Sequence, residues 1–169
     1  SLLENKNIKV PFVVCRDYNI PAWVGSNSLV ICSSYSGNTE ETISAFNLSK
    51  DRGASICGIT TGGTLAQLLE NSDKDYIKIP KGLQPRAAVA FSFIPIIKML
   101  EKIGLIQSDL NLWLENTVSA LESNRITFGI EGNKNPVYSL ASKIYKKIPI
   151  IYSDTSTMKV NAVRLKGQI

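Results

Sequence analysis

Directly behind the apolar run Leu29-Val30-Ile31-Cys32 stands the octapeptide Ser34-Tyr35-Ser36-Gly37-Asn38-Thr39-Glu40-Glu41, and behind that Thr42-Ile43-Ser44-Ala45-Phe46 opens a helical pattern. An uncharged, β-branched run of this kind reads as a strand buried on both faces. Strand, hydroxyl-rich turn and helix in that order leave few folds open. The spacing predicts that Asn38 caps the helix and that Glu41, three residues on, closes a capping box. A helix N-terminus placed there presents outward N–H groups and the positive end of the helix dipole. Ser34, Ser36 and Thr39 add hydroxyl donors at the same point, so a phosphate can be gripped without any lysine. The same residues also suit a plain βα turn with a helix cap. No G-K-[ST] follows, and G-x-G-x-x-G is absent, so neither common nucleotide loop is present.

The arrangement then repeats. Ile56-Cys57-Gly58-Ile59 runs into Thr60-Thr61-Gly62-Gly63 and the helical Leu65-Ala66-Gln67-Leu68-Leu69. Tyr76-Ile77-Lys78-Ile79-Pro80 is followed by Gly82-Leu83-Gln84-Pro85-Arg86-Ala87-Ala88. Three strands, each followed by a turn and a helix, predict a parallel sheet with right-handed crossovers: an α/β, three-layer αβα sandwich. Ligands in such sheets bind at the carboxyl ends of the strands. The hydroxyl loop, the Thr-Thr-Gly-Gly loop and Arg86 are therefore expected at one crevice. Arg86 also suits a solvated helix start, but it follows Pro85 and precedes eleven uncharged residues, Ala87 to Ile97.

Strands are predicted near 10–15, 29–33, 55–59 and 76–79, and helices near 39–52, 64–71, 86–104 and 109–124. Residues 125–134, with Gly129, Gly132 and Asn133, read as a linker. Pro136 then opens a helix to Lys147, and Ile148-Pro149-Ile150-Ile151-Tyr152 reads as a strand beginning a second βα lobe. Its turn, Ser153-Asp154-Thr155-Ser156, suits a helix cap by Asp154 or Ser156, or a second anion turn. The expected organisation is a first lobe over 1–108, a bridging helix and linker over 109–134, and the start of a similar lobe over 135–169.

A net charge of +5 raises the possibility of nucleic acid, but the lysines are scattered. The close group Lys143, Lys146 and Lys147 lies on one amphipathic helix, and no basic-aromatic alternation suggests stacked bases. No nucleic-acid partner is expected. A mildly positive potential also suits an anionic small molecule. At 44% apolar and 20% charged the chain can bury a real core. The uncharged stretch in the helical segment after Arg86 is far short of the roughly 20 residues of a membrane span, and no secretory signal opens the chain, so a cytoplasmic protein is expected. Cys15, Cys32 and Cys57 fit no zinc spacing and read as buried thiols in apolar strands. With no histidine, zinc lacks its usual donors, so neither metal nor cofactor is expected. The apolar helix after Arg86, interrupted at Pro95, is more hydrophobic than one sheet face requires. That predicts a second buried surface, between lobes or between subunits of a homodimer.

The segments S-Y-S-G-N-T-E-E-T, T-T-G-G-T-L-A and G-L-Q-P-R-A-A resemble a sugar isomerase (SIS) domain, and more narrowly the bifunctional phosphoglucose/phosphomannose isomerases. Arg16-Asp17-Tyr18-Asn19-Ile20-Pro21-Ala22 matches in character. The resemblance covers most of the chain, with 112–133 the least diagnostic part. It implies a flavodoxin-like αβα fold with two lobes, and an aldose–ketose isomerase acting on hexose 6-phosphates through a cis-enediolate. Ser34, Ser36, Gly37, Asn38 and Thr39 would hold the sugar phosphate, and Arg86 would stabilise the enediolate beside C1 and C2. It also implies a G-x-G-G-S turn after a first strand and a catalytic glutamate in an Asn-Glu-Asn segment. Nothing upstream of Val10 matches the first, and the second lies beyond a stretch resembling Ala162–Gln168. A ring-opening histidine is implied further on. The chain is accordingly expected to be an internal piece of a longer enzyme, inactive alone. The alternatives are a sugar-phosphate-sensing SIS module without catalysis, and another SIS-type phosphosugar isomerase or aminotransferase domain.

Overall fold

The structure is a computed structural model, and it describes residues 10–106, 109–129, 135–154 and 157–168. The chain divides into two compact units, Leu2–Ile106 and Gln107–Ile169.

The larger unit is built on three parallel strands, β1 (Leu29–Ser34), β2 (Ser55–Thr60) and β3 (Tyr76–Lys78), in the order β1-β2-β3. Leu29 pairs with Ser55 and Ser34 with Thr60, while Gly58 pairs with Tyr76 and Thr60 with Lys78. The crossovers are α1 (Glu40–Asp51) and α2 (Gly63–Asn71). A short 3-10 turn, Pro85–Ala87, follows β3 and leads into α3 (Val89–Lys102).

Strand alternation sends Val30, Cys32, Ile56 and Gly58 to one face of the sheet. There Cys32 and Ile56 pack with Phe46 of α1 and with Leu65 and Leu69 of α2 in the main core cluster. Gly58 belongs to this contact: a Cβ on it would strike the Leu69 side chain, so α2 sits directly on the strand. Ile20, Val24 and Ala54 extend the same layer beneath Ala45 and Leu48 of α1. Cys57 points to the opposite face, where its Sγ lies 3.6 Å from Met99 Sδ of α3. Helices thus cover both faces, which is the expected three-layer αβα arrangement.

The smaller unit contains α4 (Leu110–Phe128), α5 (Pro136–Ile144) and α6 (Thr157–Lys166). The Leu112 amide donates to Asp109 Oδ1 at 3.0 Å, capping α4. The Tyr138 amide donates to Asn135 Oδ1 at 2.7 Å, with Pro136 in the first turn, capping α5.

Two expected strands are absent. Residues 10–15 and 148–152 carry no strand, although both are rich in β-branched residues. A strand exists only through its neighbour's hydrogen bonds, and the pairings of the sheet, β1 with β2 and β2 with β3, include neither segment. Val13 and Val14 are exposed, as are Ile148, Ile150 and Tyr152. Cys15 shares this fate and is exposed, whereas Cys32 is buried as expected. The expected linker at 125–134 begins late: α4 continues through Phe128, and the Gly129 amide still donates to the Arg125 carbonyl. Residues 130–134 lie outside the described residues, as do Thr155 and Ser156 of the expected second turn.

Candidate functional site

All three βα loops of the larger unit leave the carboxyl ends of parallel strands, and the first two interlock. Gly37 adopts φ +74° and is buried. A Cβ there would strike the Gly62 carbonyl, and one on Gly63 (φ +71°) would come within 2.5 Å of the Ser36 carbonyl. Only glycine satisfies both the left-handed backbone and the close approach. The Leu65 amide donates to the Gly37 carbonyl at 2.8 Å, and the Thr61 amide to the Tyr35 carbonyl at 3.0 Å.

Within the first loop the hydroxyls divide their work. Ser34 is buried; its Oγ accepts from the Gly37 amide at 3.1 Å and shares a 2.8 Å hydrogen bond with Thr39 Oγ1. Ser36 is exposed, and its Oγ accepts from the Asn38 amide at 3.2 Å. Thr39 is the N-cap of α1 but makes no side-chain cap, and the first helical hydrogen bond runs from Ile43 N–H to the Thr39 carbonyl at 3.0 Å. The amides of the first turn therefore lack intrahelical acceptors.

The expected capping box does not form. Asn38 turns instead to the next helix, where its Oδ1 accepts from the Thr64 amide at 3.0 Å and the Thr64 hydroxyl at 3.1 Å. Interlocking of the loops brings the start of α2 within reach, so a side chain 26 positions away in sequence competes successfully for the cap. Asn38 thereby ties the two turns together and leaves the α1 terminus open.

Glu40 would oppose an anion at that terminus. The Tyr18 hydroxyl donates to Glu40 Oε2 at 2.8 Å, and the Ser44 hydroxyl donates to the Tyr18 carbonyl at 2.8 Å. The hydrogen bond to Glu40, and then its charge, raise the Tyr18 phenol above its ordinary pKa. The Tyr18 hydroxyl thus remains a donor, and it offsets part of the carboxylate's charge. Burial, helped by neighbouring Cys57, pushes Cys32 up to about 12, so this thiol is not a nucleophile.

The third loop approaches through two residues to which the sequence reading gave no role. The Tyr35 hydroxyl donates to the Pro80 carbonyl at 3.1 Å and accepts from the Leu83 amide at 2.9 Å. Lys81, on that turn, places Nζ 3.5 Å from where a Cβ of Gly62 would stand. Arg86 is exposed on the 3-10 turn three residues past Leu83. Ser34, Ser36, Gly37, Asn38 and Thr39 thus form one turn, while Arg86 belongs to a neighbouring loop joined to it through Tyr35. An aromatic residue with a polar tip amid small hydroxyl residues was the available signal for Tyr35. Its partners, 45 and 48 positions away, left no local trace. Among the described residues no group of histidine, cysteine, aspartate and glutamate forms a metal cluster.

Fold and site together define a class: an α/β domain with a parallel sheet, whose first strand ends in a hydroxyl turn and an open helix N-terminus. No protein-family model matches the chain. Curated relatives narrow the class. The chain is 48% identical over 163 residues to the bifunctional phosphoglucose/phosphomannose isomerase of Caldicellulosiruptor bescii, covering 95% of this chain and 48% of that protein. It is 35% identical over 167 residues to the Aquifex aeolicus protein of the same name, covering 99% and 48%. For the Thermoplasma acidophilum protein of that name the figures are 38% over 160 residues, covering 94% and 46%. The chain is thus a homologue of the bifunctional phosphoglucose/phosphomannose isomerases, and it spans about half the length of these relatives.

Proposed function

We propose that the protein is an aldose–ketose isomerase of phosphorylated hexoses, interconverting glucose 6-phosphate and mannose 6-phosphate with fructose 6-phosphate. The names of the curated relatives support the substrate class. The observation that carries the reading is the open N-terminus of α1, flanked by exposed Ser36 and Thr39 and joined through Tyr35 to the loop bearing Arg86.

In this reading the phosphate sits on the first-turn amides and the Ser36 and Thr39 hydroxyls, where hydrogen bonds to an anion are about twice as strong as neutral ones. Ser34 orients Thr39, and Gly37 and Asn38 shape the turn. The sugar then extends toward Arg86. Isomerisation moves a proton between C1 and C2 through a cis-enediolate, and negative charge grows on the oxygens at those carbons. A guanidinium, planar and permanently charged, matches that delocalised charge. The transferring base is assigned to neither Glu40 nor Glu41, which stand at the phosphate end of the sugar.

We further propose that 1–108 is a first lobe, that 109–134 bridges, and that 135–169 begins a similar one, in a cytoplasmic homodimer with no metal or organic cofactor. Among the described residues no helix is long and apolar enough to cross a membrane.

Arg86→Lys in the complete protein tests the assignment. The turnover number kcat should fall about 100-fold while KM changes less than about threefold, because the lost interaction belongs to the transition state. An unchanged kcat would remove Arg86 from the mechanism.

A further inference from the structure

We propose that Tyr35 is a positioning residue: its hydroxyl staples the Pro80–Leu83 turn to the phosphate loop and so fixes Arg86 relative to the bound sugar. The inference rests on the reading of Arg86 given above and adds the element that holds it.

Three observations carry it. Pro80 and Leu83 stand three positions apart about a bend at Gly82 and Leu83, the spacing at which a carbonyl and an amide bond directly in a β-turn. Here the Tyr35 hydroxyl stands between them, accepting from the Leu83 amide at 2.9 Å and donating to the Pro80 carbonyl at 3.1 Å. The phenol therefore completes the turn from outside, and both capacities of one hydroxyl are used. Little of the segment is buried: Gly82 takes φ +98°, and every residue from Pro80 to Ala87 is exposed. A segment with so little buried surface needs an external tie to keep one geometry. Finally, the tie is short on the Arg86 side. Leu83 and Gln84 lead straight into the 3-10 turn Pro85–Ala87, where the Ala87 amide donates to the Gln84 carbonyl at 2.8 Å. A displacement at Leu83 is thus carried to Arg86 through a stiff, proline-containing connection.

Tyr35 is fixed at its own end as well. Its carbonyl accepts from the Thr61 amide at 3.0 Å, and it sits between Ser34 and Ser36 of the turn proposed to hold the phosphate. One side chain thereby links the end of the substrate that is bound to the end that reacts. It touches neither reacting carbon; it acts through Arg86.

Tyr35→Phe removes the hydroxyl and leaves the ring. In the complete protein kcat should fall about 10-fold or more, since misplacement by about 1 Å can cost 100-fold, while KM stays within about threefold. In the Arg86→Lys background the same substitution should lower kcat by less than about twofold, because the two residues act as one unit. Independent multiplicative losses would overturn the proposal. Amide hydrogen exchange by NMR reads the staple without reference to catalysis. Leu83 should lose at least about tenfold protection in Tyr35→Phe while Leu65, bonded to Gly37, keeps its own. Unchanged protection at Leu83 would overturn the staple even if activity fell. Should Arg86→Lys alone leave kcat intact, the catalytic reading fails, and the exchange experiment still decides whether Tyr35 holds the turn.

Discussion

Helices α2 and α4 carry similar residues and meet opposite fates. On α2, Leu65 and Leu69 are completely buried against β2 and α1. On α4, Leu110 is buried, but Leu112, Val118 and Leu121 are more than half exposed and Ile126 is 87% exposed. The contrast extends to their units. The larger one has a sheet with helices on both faces, whereas the smaller has no strand among its described residues. Amphipathic spacing says which face of a helix seeks cover; a sheet beside it provides that cover. Burial is therefore a property of the assembled layer, and the hydroxyl loop stands at the end of such a layer.

The largest test of this comparison is in the core. Phe46→Ala should destabilise the protein by about 3–5 kcal/mol, whereas Leu121→Ala should cost no more than about 0.5 kcal/mol. Urea unfolding followed by circular dichroism measures both. A Leu121→Ala loss as large as that of Phe46→Ala would break the contrast.

Next comes the junction between core and loop. Gly37→Ala forces a left-handed backbone on alanine and drives its Cβ into the Gly62 carbonyl. A loss of about 2–3 kcal/mol in stability is expected, accompanied by loss of sugar-phosphate binding. Gly53 also has positive φ (+72°), but nothing lies within 4 Å of where its Cβ would be. Gly53→Ala should therefore cost only about 1 kcal/mol, from backbone strain alone. Equal losses at the two sites would show that interlocking of the loops contributes nothing.

Ser36→Ala sharpens the comparison inside the loop. Ser36 is exposed, so stability should hardly move, but affinity for fructose 6-phosphate should fall by about 1–2 kcal/mol through one lost hydrogen bond to a charged group. Calorimetric titration into the complete protein reads this directly, and equal affinities would take Ser36 out of the site.

The smallest effect is alkaline. Cys32 is held protonated up to about pH 12, above its ordinary value of 9.0. The unfolded chain therefore releases this proton first, and stability falls as pH rises from 9 toward 12. By pH 10 the loss from Cys32 should be about 1 kcal/mol, with further contributions in the same direction from Cys57, Tyr18 and Tyr76. Cys32→Ala should flatten the decline between pH 8 and 10 in urea titrations; an identical slope would contradict the burial. Exposed Cys15 should react with a thiol reagent in the native protein while Cys32 does not.

Much of the larger unit was legible because its signals are local. Apolar runs of strand length, glycine turns and helical periodicity placed β1, β2, β3, α1 and α2 within a residue or two, and the same alternation implied a parallel sheet with ligand loops at one edge. Local signals also misled. Residues 10–15 and 148–152 have the β-branched content of strands and form none here, because strand propensity is realised only across hydrogen bonds to a neighbour.

The sequence by itself determined which residues gather at the first turn, since Ser34 to Thr39 are consecutive and a glycine must occupy position 37. Tertiary structure decided what each of them does. Asn38 caps α2 and leaves α1 open because the close approach of Gly37 and Gly63 brings the Thr64 amide within 3.0 Å of its Oδ1. Tyr35 completes a turn 45 residues away because β1 and β3, on either side of β2, end at the same edge. Hydrogen bonds between distant positions depend on the register of the whole sheet, and no window of sequence contains that register.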